Sequence, residues 1–179
     1  MCKKYVRLKK INYELIAMSL SPISGFEYDS LLQVCQNNKE SIEDITDQYL
    51  YLLSFLTHTA SISREDFVNK VMEISNIGDI IVCYYIDVET CKTHIVGSGT
   101  IIYEPKIIRG CKYVGHIEDI VVHRGYRSHG IAKNILHLLV ERAKQNNCYK
   151  AILDCNPDLI GFYERNRFVE NGNQMSIYF

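Results

Sequence analysis

The chain has 179 residues, the length of one domain, with 47% apolar and 23% charged residues, a balance that excludes a disordered or fibrous polymer. A formal net charge of −1 excludes a global field that gathers nucleic acid or an anionic membrane, so a phosphate-bearing ligand must be held by local groups. The longest apolar stretches fall far below the roughly 20 residues that a membrane span needs.

The seven cysteines are odd in number and never spaced as Cys-x-x-Cys, which removes support for a zinc ribbon or a thioredoxin-type dithiol. No cluster of metal-ligand residues is evident either. There is no Asn-x-Ser/Thr sequon and no apolar run with a small-residue cleavage site at the N-terminus. A cytoplasmic protein with reduced thiols is expected.

In chain order, residues 1–40 carry weak signals. Residues 1–10 are basic, residues 20–25 are rich in turn formers, and residues 28–36 fit one or two helical turns. They are read as an N-terminal extension of unassigned role packed on the domain, and residues 41–179 as the domain proper. A helix is predicted over residues 42–56, with Ile42, Ile45, Tyr49, Leu52, Leu53 and Leu56 on one stripe. A second runs over residues 64–74, with Ser63 as N-cap and Asp66 three residues on, a relative of the capping box.

The period then changes. Residues 79–88 (DIIVCYYIDV) are dense in β-branched and aromatic side chains, and after a polar break residues 94–103 (HIVGSGTIIY) read as the hairpin partner. A loop over 105–111 leads to a third strand over 113–123 (YVGHIEDIVVH). Residues 130–146 form an amphipathic helix with Ile131, Ile135, Leu138, Leu139 and Ala143 on one face. Residues 150–155 are a strand, and Asn156 and Pro157 supply an N-cap and an N1 proline for a helix through Arg165. Asn171-Gly172-Asn173 turns a short final strand pair ending at Phe179. The sum is one α+β domain.

The most informative segment is residues 120–132 (IVVHRGYRSHGIA). An apolar strand ends at His123, a loop of small and basic residues follows, and a helix begins at Gly130. That arrangement aims backbone N–H groups and a helix dipole at one spot, an anion site. Gly130 admits a close phosphate, Ala132 keeps the first turn open, and Arg127 and Arg124 are positioned to add charge-assisted hydrogen bonds. The plain alternative is a βα turn with a corner glycine. No Gly-Lys-Ser/Thr follows, which excludes a Walker loop, and the first glycines of a Rossmann fingerprint are missing.

Arg127-Ser128-His129-Gly130-Ile131-Ala132 resembles the Arg/Gln-x-x-Gly-x-Gly/Ala loop with which the GNAT superfamily of acetyltransferases holds the pyrophosphate of coenzyme A. Three further stretches narrow the resemblance: residues 115–122 (GHIEDIVV), 148–155 (CYKAILDC) and 161–164 (GFYE). In this order around the loop they are similar to the signature segments of eukaryotic-type glucosamine-6-phosphate N-acetyltransferases, over about residues 56–175.

The resemblance implies a GNAT fold with a mixed, mostly antiparallel sheet and flanking helices. It also implies a cytoplasmic homodimer and acetyl-CoA as co-substrate without a metal. The implied activity moves acetyl onto the 2-amino group of glucosamine 6-phosphate, toward UDP-N-acetylglucosamine, by direct attack in a ternary complex. The cofactor positions carried over are Ile120, Val121 and Val122 for the pantetheine arm, Arg127, Ser128, His129, Gly130, Ile131, Ala132 and Lys133 for the pyrophosphate, and Tyr163 at the thioester sulfur. The substrate positions are Thr57, Lys106, Glu118, Asp119, Tyr149, Lys150 and Asp154, with Glu118, Asp154 and Tyr163 in the chemistry.

Glu118 and Asp119 are consecutive, so on a regular strand they point to opposite faces; serving one site together requires a bulge there. Two departures touch the sugar phosphate: Glu104-Pro105-Lys106 replaces the family's Glu-Arg-Lys, and Tyr178 stands where an arginine that reaches the partner subunit is usual. A phenol supplies neither charge nor a bidentate fork, so Arg109, Lys112 or the N-terminal residues are substitutes to consider. The rival readings are a GNAT enzyme for another amine (protein, polyamine or other amino sugar), a non-catalytic acyl-CoA-binding protein, and a covalent route through Cys148 or Cys155.

Overall fold

A computed structural model describes residues 25–38 and 41–178. Alternating β-branched and aromatic residues build the strands β1 (Glu27–Ser30), β2 (Gly78–Ile86), β3 (Thr93–Pro105), β4 (Tyr113–Val122) and β5 (Cys148–Ile152). They form one sheet in the order β1-β2-β3-β4-β5. The first three pairings are antiparallel and β4 with β5 is parallel, so the sheet is mixed, as expected.

The helices of six residues or more are α1 (Leu31–Asn37), α2 (Ile42–Leu53), α3 (Arg64–Ile77), α4 (Ile131–Gln145) and α5 (Ile160–Arg165). α3 starts where the sequence says it should: Ser63 Oγ accepts a hydrogen bond from the Asp66 amide at 3.1 Å. The predicted stripe of α2 is buried at Ile42, Ile45, Tyr49 and Leu52, but the helix stops at Leu53, and Leu56 lies exposed in the turn that follows.

Two cores flank the sheet. On one face Leu31, Ile45, Leu52, Phe67 and Val71 of α1–α3 meet Ile80, Val82 and Val121. On the other, Ile131, Ile135, Leu136 and Leu139 of α4 meet Ile81, Val96, Ile101 and Ile117. α4 lies close to β3 because Gly97 and Gly99 have no side chain; a Cβ on either would stand 2.8 Å from an isoleucine of α4.

Three expectations change. Residues 28–30 are strand, with Tyr28 opposite Cys83, and the helix starts only at Leu31, where Ser30 Oγ accepts from the Gln33 amide. β5 is shorter than predicted and ends at Ile152. The final strand pair is absent among the described residues: nothing after Arg165 is strand, and Val169, Met175, Ile177 and Tyr178 are 82%, 93%, 77% and 93% exposed. A tail strand needs a neighbouring edge, and none pairs with it here.

Candidate active site

The site forms where β4 is least regular. Its pairing with β3 runs from Thr100↔Glu118 to Ser98↔Val121, so Asp119 and Ile120 together oppose Gly99. This is the bulge that the paired carboxylates require, and Asp119 carries it in left-handed backbone, φ 52°. Ser98, cross-strand from Val121, faces α2, where its Oγ meets the buried Tyr49 hydroxyl at 3.1 Å. Burial, with the Asp119 charge nearby, pushes that phenol up to about 12. Consecutive in sequence, Glu118 and Asp119 therefore both project toward the α2 side.

β5 accompanies β4 only from Tyr113↔Cys148 to His116↔Ile152. Beyond His116 the two strands part, and the edge of β4 from Ile117 to Val122 has no strand partner on that side among the described residues. The resulting wedge leaves the backbone of Ile120 and Val122 without a strand partner on that side, and the Val122 carbonyl accepts from Arg127 Nε at 3.4 Å. Val121 has its side chain in the α2-side core and pairs with Ser98 of β3.

Asp154 lies two residues beyond the end of β5, exposed. The helical turn after it, Pro157–Leu159, has Asn156 at its N-cap position, so Asp154 is not its cap. Asp154 is close enough to act on Glu118: burial first, then the charges of Asp119 and Asp154, push Glu118 above the usual carboxylate range, against an opposing pull from His116. Tyr163, on α5, is half-buried against the α4-side core, its ring edge-on to Phe162 at 5.1 Å and to Phe168 at 6.0 Å. Burial, and secondarily Cys155, raise its phenol, which keeps it protonated at neutral pH.

The loop after β4 has the geometry expected of an anion site. The three residues Arg124–Tyr126 form a single turn, capped by His123 Nδ1 accepting from the Gly125 amide at 3.1 Å. Ser128 and Gly130 follow with φ of 67° and 75°, the left-handed geometry that curls successive amides inward. Among the described residues no side chain caps α4, so its first-turn amides, those of Ile131, Ala132 and Lys133, have no side-chain acceptor. Ile131 is 1% exposed, so its contribution is its backbone. Arg127 and Lys133 are exposed at the rim. Arg124 turns away: its guanidinium stands 5.3 Å from the Phe55 ring, on the α2 side.

The candidate sugar-phosphate residues are not all brought together. Thr57 lies exposed in the turn after α2, its amide bonded to Leu53 O. Lys106 pairs with Glu104, whose other carboxylate oxygen accepts from His116 Nε2 at 2.8 Å. Tyr149 and Lys150 sit at the start of β5, beside Tyr113 and Val114 of β4, the end opposite Asp154. Arg109 and Lys150 each stand 5.8 Å from the Tyr149 ring, from its guanidinium carbon and ammonium respectively. Tyr178 lies exposed in the tail. His116 and Glu104 escaped the reading as site residues, because the contact joins positions 12 apart through strand register.

The sequence pattern of the Acetyltransferase (GNAT) family matches residues 49–168. Glucosamine 6-phosphate N-acetyltransferase 1 of Oryza sativa subsp. japonica is 36% identical over 139 residues, covering 77% of this chain and 83% of that protein. The glucosamine 6-phosphate N-acetyltransferase of Arabidopsis thaliana is 36% identical over 141 residues, 79% of this chain and 94% of its own. The crystal structure of glucosamine-6-phosphate N-acetyltransferase from Arabidopsis thaliana superposes with a TM-score of 0.72 at 30% identity, over 86% of this chain and 98% of that one. A splayed β4–β5 pair, a bulge bearing two carboxylates and an uncapped helix N-terminus thus coincide with relatives that share most of the chain's length, and the chain belongs to the GNAT acetyltransferases, in the family of the glucosamine 6-phosphate N-acetyltransferases.

Proposed function

We propose that the protein transfers the acetyl group of acetyl-CoA to the 2-amino group of glucosamine 6-phosphate by direct attack of nitrogen on the thioester carbonyl. The observation that carries this reading is the bulge in β4: it turns Glu118 and Asp119 to the same side, within electrostatic reach of Asp154. An amine that attacks a thioester must shed a proton, and a carboxylate whose affinity for protons is raised takes one more readily than an ordinary one. Glu118 and Asp154 orient the amine and accept its proton, Asp119 positions the sugar, and Tyr163 returns a proton to the departing thiolate. In this reading the backbone of Ile120, Val121 and Val122 pairs with the pantetheine arm, and the loop from Arg127 to Lys133 holds the pyrophosphate. Lys106 and Thr57 hold the sugar phosphate. The product is N-acetylglucosamine 6-phosphate for UDP-N-acetylglucosamine synthesis in the cytoplasm.

The working unit in this proposal is a homodimer. The apolar tail with Met175 and Ile177 exposed, and the placement of Tyr149 and Lys150 far from Asp154 along β5, both gain a purpose when a second copy covers the tail and shares a sugar site. The test is release of free thiol from acetyl-CoA with glucosamine 6-phosphate, against glucosamine, spermidine and a lysine peptide as parallel acceptors. Turnover concentrated on the sugar phosphate is the expected outcome. Silence with it, in a protein that still binds acetyl-CoA, would overturn the assignment of the acceptor.

A further inference from the structure

Phosphate recognition in this site starts from an unfavourable arrangement. The ammonium of Lys106 is taken by Glu104, through Oε1, and a phosphate dianion that draws Lys106 away leaves a bare carboxylate beside a second anion. The residue between the two, Pro105, adds no charge.

The structure holds a remedy two strands deep. Glu104 is on β3 opposite Val114, and His116 is on β4 opposite Ile102, so the two side chains sit diagonally on one face of the sheet. His116 Nε2 donates to the free oxygen Oε2 of Glu104 at 2.8 Å. Lys106 first and His116 second hold the Glu104 carboxyl below its usual range, so it is the ionised partner of both. Lys106 is itself anchored by its backbone, its amide donating to Lys112 O at 2.9 Å. Only its flexible stem has to swing for the ammonium to change partner. His116 also precedes Glu118 by two residues on the same face of β4, and its charge acts on Glu118 in the direction opposite to Asp119 and Asp154.

We infer that His116 is a specificity-determining positioning residue: it holds Glu104 by the carboxylate oxygen that Lys106 does not use, so that Lys106 is released to the phosphate of the acceptor. The inference rests on the reading of the acceptor as a sugar phosphate and of Lys106 as its ligand. His116 touches neither substrate in this role; it works through Glu104.

The test is steady-state kinetics with acetyl-CoA saturating, comparing glucosamine 6-phosphate with glucosamine. His116→Gln replaces the imidazole with an uncharged donor of different reach, and should raise KM for the sugar phosphate on the order of tenfold, as the hold on the free oxygen of Glu104 weakens. Glu118, on which His116 also acts, bears on kcat with both acceptors alike, so the readout is the KM for glucosamine 6-phosphate relative to that for glucosamine. His116→Arg, permanently charged, should restore KM. The double variant Glu104→Gln/His116→Gln should also recover, because without the carboxylate there is nothing left to hold, whereas two independent defects would add. Equal loss with both acceptors, no rescue by arginine, or additive defects in the double variant would each overturn the inference. A wild-type protein that does not prefer glucosamine 6-phosphate over glucosamine would instead strike the acceptor assignment itself.

Discussion

On its β3 side β4 is paired from Val122 back to Tyr113, whereas on its β5 side pairing stops at His116. The first half of the molecule is closed: α4 lies on the β3 glycines, and Arg142, 7% exposed, meets Asp79 across the core at 3.0 Å. The second half is open, and it carries exposed Asp154, half-buried Tyr163 and an α4 N-terminus without a side-chain cap. The contrast separates two uses of charge. Asp79 and Arg142 are fixed by burial and hold each other; Glu104, Lys106 and His116 are only partly buried and share one chain of contacts through the Glu104 carboxylate. Stability is concentrated where backbone groups are satisfied, and binding capacity where they are not.

The largest expected effect falls on the open half. Tyr163→Phe keeps the ring contacts with Phe162 and Phe168 and removes only the hydroxyl, so kcat should drop by roughly a hundredfold or more, while the melting temperature barely moves. A matching loss of melting temperature would mean that Tyr163 is a core aromatic and that the two halves are not so distinct.

This separation was only partly legible in the sequence. Local signals read well: Ser63 capping α3, the β2–β3 hairpin, and the strand–loop–helix around Gly130 each depend on neighbours within a few residues. The bulge was legible only through the resemblance, since apolar alternation places Glu118 and Asp119 on opposite faces until Asp119 adopts positive φ. β1 was missed because what makes Tyr28 to Ser30 a strand is β2, some fifty residues away. The stripe assigned to α4 named half-buried Leu138 and passed over Leu136 and Arg142, both buried. Period alone does not show how wide a face a sheet covers, and a charge is not assigned to a core without its partner in view. Arg124 was legible as a basic loop residue but not as one that turns to Phe55.

On the closed half, Arg142→Ala should destabilise the fold by about 3–5 kcal/mol, because Asp79 is left as a buried charge without that guanidinium. Burial already pushes Asp79 up to about 6, with Arg142 pulling it down. Removing the arginine raises it further, and a carboxyl raised in the folded state loses its stabilising contribution as pH climbs from its unfolded range through the folded value. The deficit measured by urea unfolding should therefore be smaller at pH 5 than at pH 8. Equal deficits would show that Asp79 is not the group that suffers.

The smallest effect sharpens the boundary between the halves, because Gly99 belongs to both. It faces α4, and it is the single residue opposite the bulged pair Asp119 and Ile120. A Cβ there would stand 2.8 Å from Ile135 Cγ2, 3.0 Å from Leu139 Cδ1 and 3.3 Å from Ile120 Cγ1. The first two contacts push α4 off the sheet and should lower stability by about 1–3 kcal/mol, the usual range for overpacking. The third presses on one of the residues whose backbone lines the wedge, so Gly99→Ala should also raise KM for acetyl-CoA, an effect that Arg142→Ala, remote from the bulge, should not share. If Gly99→Ala lowers stability but leaves acetyl-CoA binding untouched, the bulge is held by Asp119 alone and the α4 side of β3 takes no part in shaping the site.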